Sequence, residues 1–389
     1  MDHGLAQIMT APAGSRTDGI GQRVGILGAG QLGQMLALAG IPLGVRFSFY
    51  SPVASPSAEA VGRVTIGEYD DAESLRAFAR SVDVVTYEFE NVSAEAVSII
   101  ESECRVWPPR DALFTSQDRA LEKKRFTRLG IPVAPYRLVD SMNELQVAID
   151  EVGAPGILKT RRFGYDGKGQ ARINQPADAP AAFESLGGSG LVYESLVTFE
   201  RELSVVAVRT ADGVTACYPV VQNHHREGIL RTTIAPAPDL AHGTRAEAER
   251  HVRALLEDFA YVGIIALELF DTGAGLLANE MAPRVHNSGH WTIEGAETSQ
   301  FENHVRAVCG MPSGSCEPVG HSVMVNLIGE HPDTDAVLGV ADSHLHLYGK
   351  SERPGRKLGH VTVRSSTRER AACQAELLYM IPSISGSES

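Results

Sequence analysis

Two glutamates in the C-terminal half of the chain are spaced so that they could bind one divalent cation together. The apolar runs 262–270 and 276–281 flank the turn sequence DTGAG, which predicts a β-hairpin. If the hairpin is symmetric about Ala274, Glu268 and Glu280 lie opposite each other, with Cβ atoms about 5 Å apart. Two carboxylates facing each other among leucines would repel, and Mg²⁺ bound between them, with substrate phosphates as further ligands, would remove that repulsion. An exposed acidic face and a single carboxyl with a raised pKa are the alternatives.

A loop dense in hydrogen-bonding side chains follows this hairpin directly. Residues 282–291 read APRVHNSGHW, so Arg, His, Asn and Ser lie within a few positions of one another. Because the loop leaves the strand that carries Glu280, we predict that it holds an acceptor substrate near the γ-phosphate of a nucleotide. A lone histidine is more often structural, but this combination favours binding.

A lysine followed by a glycine-rich loop predicts a phosphate site. Lys159 ends an apolar run, and residues 164–170 read GYDGKGQ. Glycines this dense cost backbone entropy, which indicates positive φ angles or a backbone that approaches a ligand closely. The order is not that of a Walker P-loop. We predict a lid over phosphates, with Arg161, Arg162 and Lys168 nearby, and a solvated hairpin tip is the alternative.

A second glycine motif lies near the N-terminus. Residues 28–33, GAGQLG, match G-x-G-x-x-G between a predicted strand and a predicted helix, a pattern that typically binds phosphate at the helix start. A dinucleotide-binding domain would carry an acidic residue about 20 positions later. Here the next strand ends in FYSP, residues 49–52, which disfavours a nicotinamide cofactor. Two interpretations of the motif remain: a site for the phosphate of another nucleotide, or a structural tight turn.

The elements that must position these residues predict an α/β chain. Strands at 23–27, 45–50 and 83–87 alternate with helices such as 34–39, which indicates an open parallel sheet that ends near the WPP sequence at 107–109. Further along we predict helices at 118–129 and 246–259, strands at 156–159 and 190–193, and an antiparallel pair at 204–209 and 215–221. Short strands and turns from about residue 311 indicate a small C-terminal domain.

Length and composition limit the class of protein. A chain of 389 residues, 43% hydrophobic and 21% charged, is typical of a globular protein with two or three domains, and it has no apolar run long enough to span a bilayer. The net charge of -13 argues against nucleic-acid partners. Residues 1–20 lack the pattern of a secretory signal, and we expect a disordered extension there. Five scattered cysteines without a C-x-x-C pair favour reduced thiols in the cytoplasm.

Four motifs in consistent order resemble the N5-carboxyaminoimidazole ribonucleotide synthetase family. They are GAGQLG at 28–33, GYDGKGQ at 164–170, NEMAPRVHNSGHW at 279–291 and RPGRKLGH at 353–360. The last two are highly specific together, and the likeness fades after Val363. It implies a homodimer with the ATP-grasp fold (α/β, α+β overall). The expected parts are a Rossmann-like pre-ATP-grasp domain at 21–115, an ATP-grasp domain at 116–310 with its lid at about 132–200, and a small β-rich domain at 311–389.

The resemblance also implies roles for individual residues. Arg119 and Lys159 would contact the ATP phosphates. The covering loop would comprise Gly164, Tyr165, Asp166, Gly167, Lys168, Gly169 and Gln170. Adenine would be read by the hinge residues Glu194, Ser195, Leu196 and Val197. Glu202 would hold the ribose, with further ATP contacts from His225, Asn279 and Glu280. The magnesium ligands would be Glu268 and Glu280. The ribonucleotide pocket would contain Gln31, Leu32, Glu88, Tyr165, Asp166, Arg284, His286 and Asn287, with Lys350 and Arg356 on the 5′-phosphate.

The family's reaction would make the chain an ATP-dependent ligase of purine biosynthesis. Bicarbonate attacks the γ-phosphate of ATP, and the resulting carboxyphosphate, or CO₂ released from it, is captured by the exocyclic amine of 5-aminoimidazole ribonucleotide. Lys159, Arg284 and Asp166 would be catalytic, with Asp166 accepting the proton of the amine. Mg²⁺ and the basic groups would offset the charge on the transferred phosphoryl group.

Four other functions share some of these features. A biotin carboxylase or a glycinamide ribonucleotide transformylase would share the magnesium pair and the lid, but would differ in the loop at 284–291. A nucleotide-binding regulator without chemistry would have little need of Lys159 together with both glutamates. A nicotinamide-dependent dehydrogenase is disfavoured by the missing acid after Tyr50.

Overall fold

Three β-sheets organise the chain, which the computed structural model describes over residues 21–164 and 168–385. The extension expected at residues 1–20 lies outside the described residues. Within the described part of the chain, no helix has both the length and the apolar character needed to cross a membrane.

The N-terminal sheet is parallel, in the order β3-β2-β1-β4-β5. Its strands are β1 Arg23–Leu27, β2 Arg46–Ser51, β3 Arg63–Ile66, β4 Val84–Tyr87 and β5 Arg105–Val106, and the intervening helices are α1 Gln31–Gly40, α2 Pro56–Glu59, α3 Ala72–Arg80 and α4 Ala94–Glu101. The central strands are almost wholly buried, as expected where helices cover both faces of a parallel sheet. Since Leu27 pairs with Tyr87, the residues that follow β1 and β4 meet at one sheet edge.

A four-stranded antiparallel sheet, in the order β6-β9-β7-β8, carries the second glycine loop. The elements of this region are α5 Arg110–Ser116, α6 Arg119–Arg128, β6 Tyr136–Val139, α7 Met142–Val152, β7 Gly156–Thr160, β8 Gln170–Ile173, α8 Ala179–Ser185 and β9 Leu191–Ser195. Lys159 pairs with Gln170, so the glycine loop closes a hairpin that starts just after Lys159.

The largest sheet has nine strands, in the order β15-β14-β10-β12-β13-β16-β18-β17, with β11 paired to β10. Its first elements are β10 Arg201–Arg209, β11 Thr215–Cys217, β12 Val221–Arg226, β13 Ile229–Ala235, α9 His242–Asp258, β14 Gly263–Asp271 and β15 Leu276–Ala282. The single strand predicted at 215–221 is wrong, because the structure has two strands there. Pro219 lies between them, and it has no N–H with which to continue the pairing.

Helix α9 covers one face of this sheet. Leu203 and Leu267 pack with Leu255 of α9 in one buried cluster. Because side chains alternate along a strand, Glu202 and Glu268 point to the opposite face. Polar side chains of the site therefore collect on the face away from α9.

The C-terminal strands extend the same sheet. The remaining elements are α10 Thr292–Gly295, α11 Gln300–Val308, β16 His321–Ile328, α12 Thr334–Leu338, β17 Ser343–Leu347, β18 Lys357–Ser365, α13 Arg368–Tyr379 and α14 Pro382–Ser385. Thr232 of β13 pairs with Val325 of β16, so the C-terminal part shares a sheet with the strands before it. The basic motif at 353–360 is thus held against the sheet that carries Glu268.

Candidate active site

A cavity of about 1270 Å³ brings the predicted motifs together. Its wall includes 18 of the predicted residues: Gln31, Leu32, Glu88, Arg119, Lys159, Gly164, Lys168, Gln170, Glu202, His225, Glu268, Asn279, Glu280, Arg284, His286, Asn287, Lys350 and Arg356. Three others, Tyr165, Asp166 and Gly167, lie outside the described residues. Motifs more than 300 residues apart in sequence therefore meet around one space.

Lys159 shares a buried carboxylate with a second lysine. The Nζ atoms of Lys159 and Lys123 each lie 3.1 Å from Oε2 of Glu194. Burial lowers the pKa of Lys159, although Glu194 opposes this shift. Burial alone would raise the pKa of Glu194, but the two lysines hold it below its ordinary value. The trio therefore keeps charges buried only because each has an opposite partner.

Backbone hydrogen bonds to other parts of the chain hold the segment that is expected to read adenine. The N–H groups of Ser195 and Leu196 donate to the carbonyls of Pro135 and Pro155, at 2.9 and 3.2 Å. The carboxylate of Glu194 points to the lysines. An adenine contact by Glu194 to Val197 stays a prediction.

The carboxylate hairpin differs in register from its predicted form. Leu267 pairs with Met281, but Leu269 pairs with Ala278, so a β-bulge lies between them. The pairing symmetric about Ala274 is therefore wrong on the turn side of Glu268. The extra residue places Asn279 and Glu280 together across from Glu268, and bulges commonly re-aim side chains in this way. All three line the cavity.

The two glutamates have different electrostatic surroundings. Burial, together with the charge of Glu280, raises the pKa of Glu268 to about 7. Glu280 lies 3.2 Å from Nη1 of Arg119, and although burial opposes it, this arginine holds the pKa of Glu280 below its ordinary value. On the far side of Glu280, Glu122 accepts the N–H of Met281 at 2.7 Å, and burial with the charge of Glu280 raises its pKa to about 8. Negative charge is thus crowded at this end of the cavity.

This donor set fits a magnesium ion that also binds phosphate. Two carboxylates, Glu268 and Glu280, lie beside the amide of Asn279, whose Nδ2 is 3.5 Å from Glu268 Oε2. Among the described residues, no group of three or more His, Cys, Asp and Glu could hold a metal by itself. Mg²⁺ commonly takes one or two carboxylates and completes its shell with substrate phosphates and water.

A histidine and a glutamate on adjacent strands form a close pair in the same wall. Nδ1 of His225 lies 2.6 Å from Oε2 of Glu202. Burial alone would lower the pKa of His225, but the hydrogen bond with Glu202 and the charge of Glu268 raise it. Both residues were expected to contact ATP, and they line the cavity together.

The loop after β15 is held rigidly. Arg284 Nη2 lies 2.6 Å from Oε1 of Glu90, and the side-chain amides of Asn287 and Asn326 exchange two hydrogen bonds of 3.0 and 2.8 Å. Gln300 bonds both the N–H and the carbonyl of His286. Burial, followed by the charge of Arg284, lowers the pKa of His286 well below its ordinary value. The loop therefore presents side chains of fixed orientation to the cavity.

The N-terminal glycine loop binds a carboxylate of the protein itself. Glu88, directly after β4, accepts the N–H groups of Gly30 and Gly33, the latter at 2.6 Å. A Cβ at Gly28, where φ is +103°, would lie 2.4 Å from Cγ of Glu88. Both the positive φ and the close approach therefore require glycine. A phosphate on these N–H groups, one interpretation of the motif, would have to displace Glu88.

Basic side chains gather at the end of the cavity next to Glu88. Lys350, Arg353, Arg356 and Lys357 all line the wall there. Burial, followed by the charge of Arg356, lowers the pKa of Lys350. Arg356 donates to the carbonyl and hydroxyl of Ser351, at 3.1 and 2.9 Å. Such a group of cations suits a phosphate.

Several residues of the site were missed from the sequence. They are Glu90, Glu122, Lys123, Arg353 and Lys357. Glu122 and Lys123 lie in the charged run RALEKKRFTR, which looks like a solvated helix, and only the packing of α6 against β15 buries them. Glu90 lies just beyond the end of β4, where no local period fixes the direction of a side chain, so no signal in the sequence indicated it.

Family models match three successive parts of the chain. The ribonucleotide synthetase preATP-grasp domain matches residues 22–117, and the ATP-grasp domain matches 124–301. The phosphoribosylaminoimidazole carboxylase C-terminal domain matches 322–374.

Individual proteins are similar over nearly the whole length. The N5-carboxyaminoimidazole ribonucleotide synthase of Pseudomonas aeruginosa is 48% identical over 355 residues, which cover 91% of this chain and 97% of that one. The crystal structure of the synthetase from Thermus thermophilus superposes with a TM-score of 0.89 at 49% identity, covering 92% and 98% of the two chains. An Aspergillus clavatus synthase, solved with ADP and 5-aminoimidazole ribonucleotide, gives a TM-score of 0.87 at 31% identity, covering 94% and 99%. The chain belongs to the N5-carboxyaminoimidazole ribonucleotide synthase family, whose members are ATP-grasp ligases of purine biosynthesis.

Proposed function

We propose that the chain uses Mg-ATP and bicarbonate to carboxylate the exocyclic amine of 5-aminoimidazole ribonucleotide, through carboxyphosphate. The observation that carries this proposal is a single cavity with two different ends. One end holds Lys159 and the Glu268–Glu280 pair, the other holds Lys350 and Arg356, and the loop with Arg284 lies in its wall. The Aspergillus clavatus relative, solved with ADP and this ribonucleotide, supports both ligand assignments.

ATP would lie at the end that holds the carboxylate pair. Lys159 and Arg119 would contact its phosphates, and Gly164, Lys168, Gly169 and Gln170 would cover them with the rest of the loop. Glu268, Glu280 and Asn279 would hold Mg²⁺ together with phosphate oxygens. A magnesium ion bound there supplies positive charge that offsets the charge on those oxygens. Glu202 and His225 would reach the ribose side of the nucleotide, and residues 194–197 the adenine.

The ribonucleotide would lie at the other end. Lys350 and Arg356 would bind its 5′-phosphate, whose charge would oppose the burial and the repulsion by Arg356 that lower the pKa of Lys350. Its imidazole would then lie towards Arg284, His286 and Asn287, with Gln31, Leu32 and Glu88 beside it. The amine would thus face the γ-phosphate end of ATP.

The reaction follows from this arrangement. A bicarbonate oxygen attacks the γ-phosphorus and ADP leaves, while Lys159 and Arg284 offset the charge on the carboxyphosphate. The amine then attacks the carboxyl carbon, phosphate leaves, and Asp166 of the covering loop accepts the amine proton. Exclusion of water by that loop protects carboxyphosphate from hydrolysis.

Three further inferences rest on the likeness to the family and on composition. The chain forms a homodimer, and it works in the cytoplasm, consistent with free thiols at all five cysteines. Its net charge of -13 suits small-molecule partners better than nucleic acid. Domain limits at 21–115, 116–310 and 311–389 are proposed for the chain, although β13 and β16 pair across the last limit.

The experiment that tests the function is ADP release by the purified chain, with each substrate omitted in turn. We expect ADP only when bicarbonate and the ribonucleotide are both present. No ADP is expected when formate replaces bicarbonate or when biotin replaces the ribonucleotide. An equal rate without the ribonucleotide would rule out this acceptor. Activity with formate and glycinamide ribonucleotide would instead identify a transformylase.

A further inference from the structure

A row of buried hydrogen bonds leads from the large sheet to His286. Thr233 Oγ1 donates to Asn223 Oδ1 at 2.9 Å, and Asn223 Nδ2 donates to Ser204 Oγ at 2.9 Å. Ser204 Oγ donates to Ser288 Oγ at 2.7 Å. None of these four side chains is more than 3% exposed. Buried polar groups are costly unless each is bonded, and here each one is.

The direction of the row follows from counting protons. Ser204 has one hydroxyl proton, and because it accepts from the Asn223 amide, that proton goes to Ser288. The proton of Ser288 in turn goes to Nδ1 of His286, 2.9 Å away. The backbone N–H of Ser288 also points at Nδ1, at 3.3 Å. With two donors directed at it, Nδ1 carries no proton, and the imidazole proton lies on Nε2.

We propose that Asn223, Ser204 and Ser288 are positioning residues that fix the tautomer of His286 and, through it, the carboxylate of Glu268. Nε2 of His286 lies 3.4 Å from Oε1 of Glu268, so its proton is directed at that oxygen. The sheet register supports this role, because Ser204 pairs with Glu268. The inference rests on the proposed function in one respect, namely that Glu268 is a magnesium ligand.

The row differs from simple packing in having a direction that one substitution can reverse. Asn223→Asp keeps the side-chain shape but removes the amide donor. Ser204 then donates to the new carboxylate, Ser288 donates to Ser204, and the lone pair of Ser288 faces Nδ1 of His286. Nδ1 then loses its hydroxyl donor and keeps only the longer contact with the N–H of Ser288. We therefore expect a substantial fraction of the molecules to carry the proton on Nδ1, which leaves two acceptors, Nε2 and the carboxylate, facing each other. Thr233→Val is the matched control, because it removes the outermost hydrogen bond and leaves the direction unchanged.

The test is the nitrogen NMR spectrum of His286 in protein labelled with ¹⁵N-histidine, free of metal and nucleotide, at pH 8. His286→Gln assigns the signals. We expect the wild type and Thr233→Val to carry the proton on Nε2 and a substantial fraction of Asn223→Asp to carry it on Nδ1. A wild-type proton on Nδ1 would overturn the proposal without any variant. Unchanged signals in a folded Asn223→Asp protein would overturn it as well.

Kinetics then test the link to Glu268. The Mg²⁺ concentration for half-maximal ADP release should rise about 10- to 100-fold in Asn223→Asp, as is usual when partners of metal ligands are changed, and less than about 2-fold in Thr233→Val. Equal rises in both variants would indicate a merely structural role and overturn the proposal. A moved proton with unchanged Mg²⁺ dependence would overturn the link to Glu268. Failure of the proposed function would appear separately, as wild-type ADP release that needs no ribonucleotide.

Discussion

The two ends of the cavity handle charge in opposite ways. At the proposed nucleotide end, the buried cations have carboxylate partners, as in Lys159 with Glu194 and Arg119 with Glu280. At the ribonucleotide end, Lys350 lies among other cations, and its pKa is lowered by burial and by Arg356. On the proposed assignment, ATP must therefore exchange existing ion pairs for its own phosphates, whereas the 5′-phosphate adds negative charge to a group of cations that Glu88 offsets in part.

The difference has a consequence for mutations. Removing a charge at the nucleotide end leaves a buried partner unpaired, which costs stability as well as function. Removing a cation at the ribonucleotide end relieves repulsion, so it should weaken binding without destabilising the fold. The predictions below test that contrast, starting with the largest expected effect.

Glu280→Gln should reduce ADP release by at least about 100-fold, because it removes a proposed magnesium ligand. Binding of the ribonucleotide, which is proposed for the other end, should be retained. Steady-state ADP release and calorimetric titration with ribonucleotide measure the two effects, and Glu317→Gln, at an exposed position, serves as the control. Unchanged turnover would disprove the metal site.

Glu194→Gln should lower the free energy of unfolding by about 3 kcal/mol, because Lys159 and Lys123 would be left buried beside each other without a carboxylate. Urea unfolding measures the loss. The comparison is Glu103→Gln, which breaks an ion pair with the largely exposed Arg80 and should cost much less, because solvent screens exposed pairs. Equal losses in the two variants would contradict the claim that removing a charge at the nucleotide end leaves a buried partner unpaired.

Arg356→Ala should raise KM for the ribonucleotide about 10- to 100-fold, the loss expected for a hydrogen bond to a charged group. The KM for ATP should be unchanged, because the substitution lies outside the proposed nucleotide end. The melting temperature should not fall, because the substitution removes a like charge from beside Lys350. Arg368→Ala, which removes a surface ion pair with Asp239, is the control. A rise in KM for ATP alone would reverse the assignment of the two ends.

Glu122→Gln should change how stability depends on pH. The folded protein holds the pKa of Glu122 at about 8, above its ordinary value of 4.5, so the folded state binds more protons between those values. The contribution to stability is complete below about pH 4.5 and is lost as the pH rises towards 8. The variant lacks this loss. As the pH rises, its free energy of unfolding should therefore increase relative to that of the wild type, by at most about 1.4 kcal/mol per pH unit. Urea unfolding at pH 5, 6.5 and 8 measures the difference, and parallel curves would show that Glu122 is ionised throughout.

Local sequence patterns predicted the α/β class and part of the cavity wall, whereas the ATP-grasp fold and wall residues such as Arg119, His225 and Lys350 were expected only from the family resemblance. The alternation of strands and helices in the first hundred residues indicated the parallel sheet, and the apolar runs around DTGAG indicated the carboxylate hairpin. These features depend on neighbours in sequence, so periodicity and turn residues are enough to find them.

Features that depend on distant contacts were not predictable in this way. The bulge beside Glu268 changes the register by one residue, which no turn signal indicates. Glu88 binds the glycine loop only because β1 and β4 are adjacent in the sheet. Lys123 is buried only because α6 packs below the hairpin. Each depends on tertiary packing that overrides the local pattern.

The most direct test of the central claim follows an oxygen atom from bicarbonate to phosphate. The chain is incubated with ATP, magnesium, 5-aminoimidazole ribonucleotide and ¹⁸O-labelled bicarbonate, and the released phosphate is analysed by mass spectrometry. If bicarbonate attacks the γ-phosphorus, each phosphate should carry one labelled oxygen. Unlabelled phosphate released at the rate of ADP would mean that water is the nucleophile, and it would contradict the account.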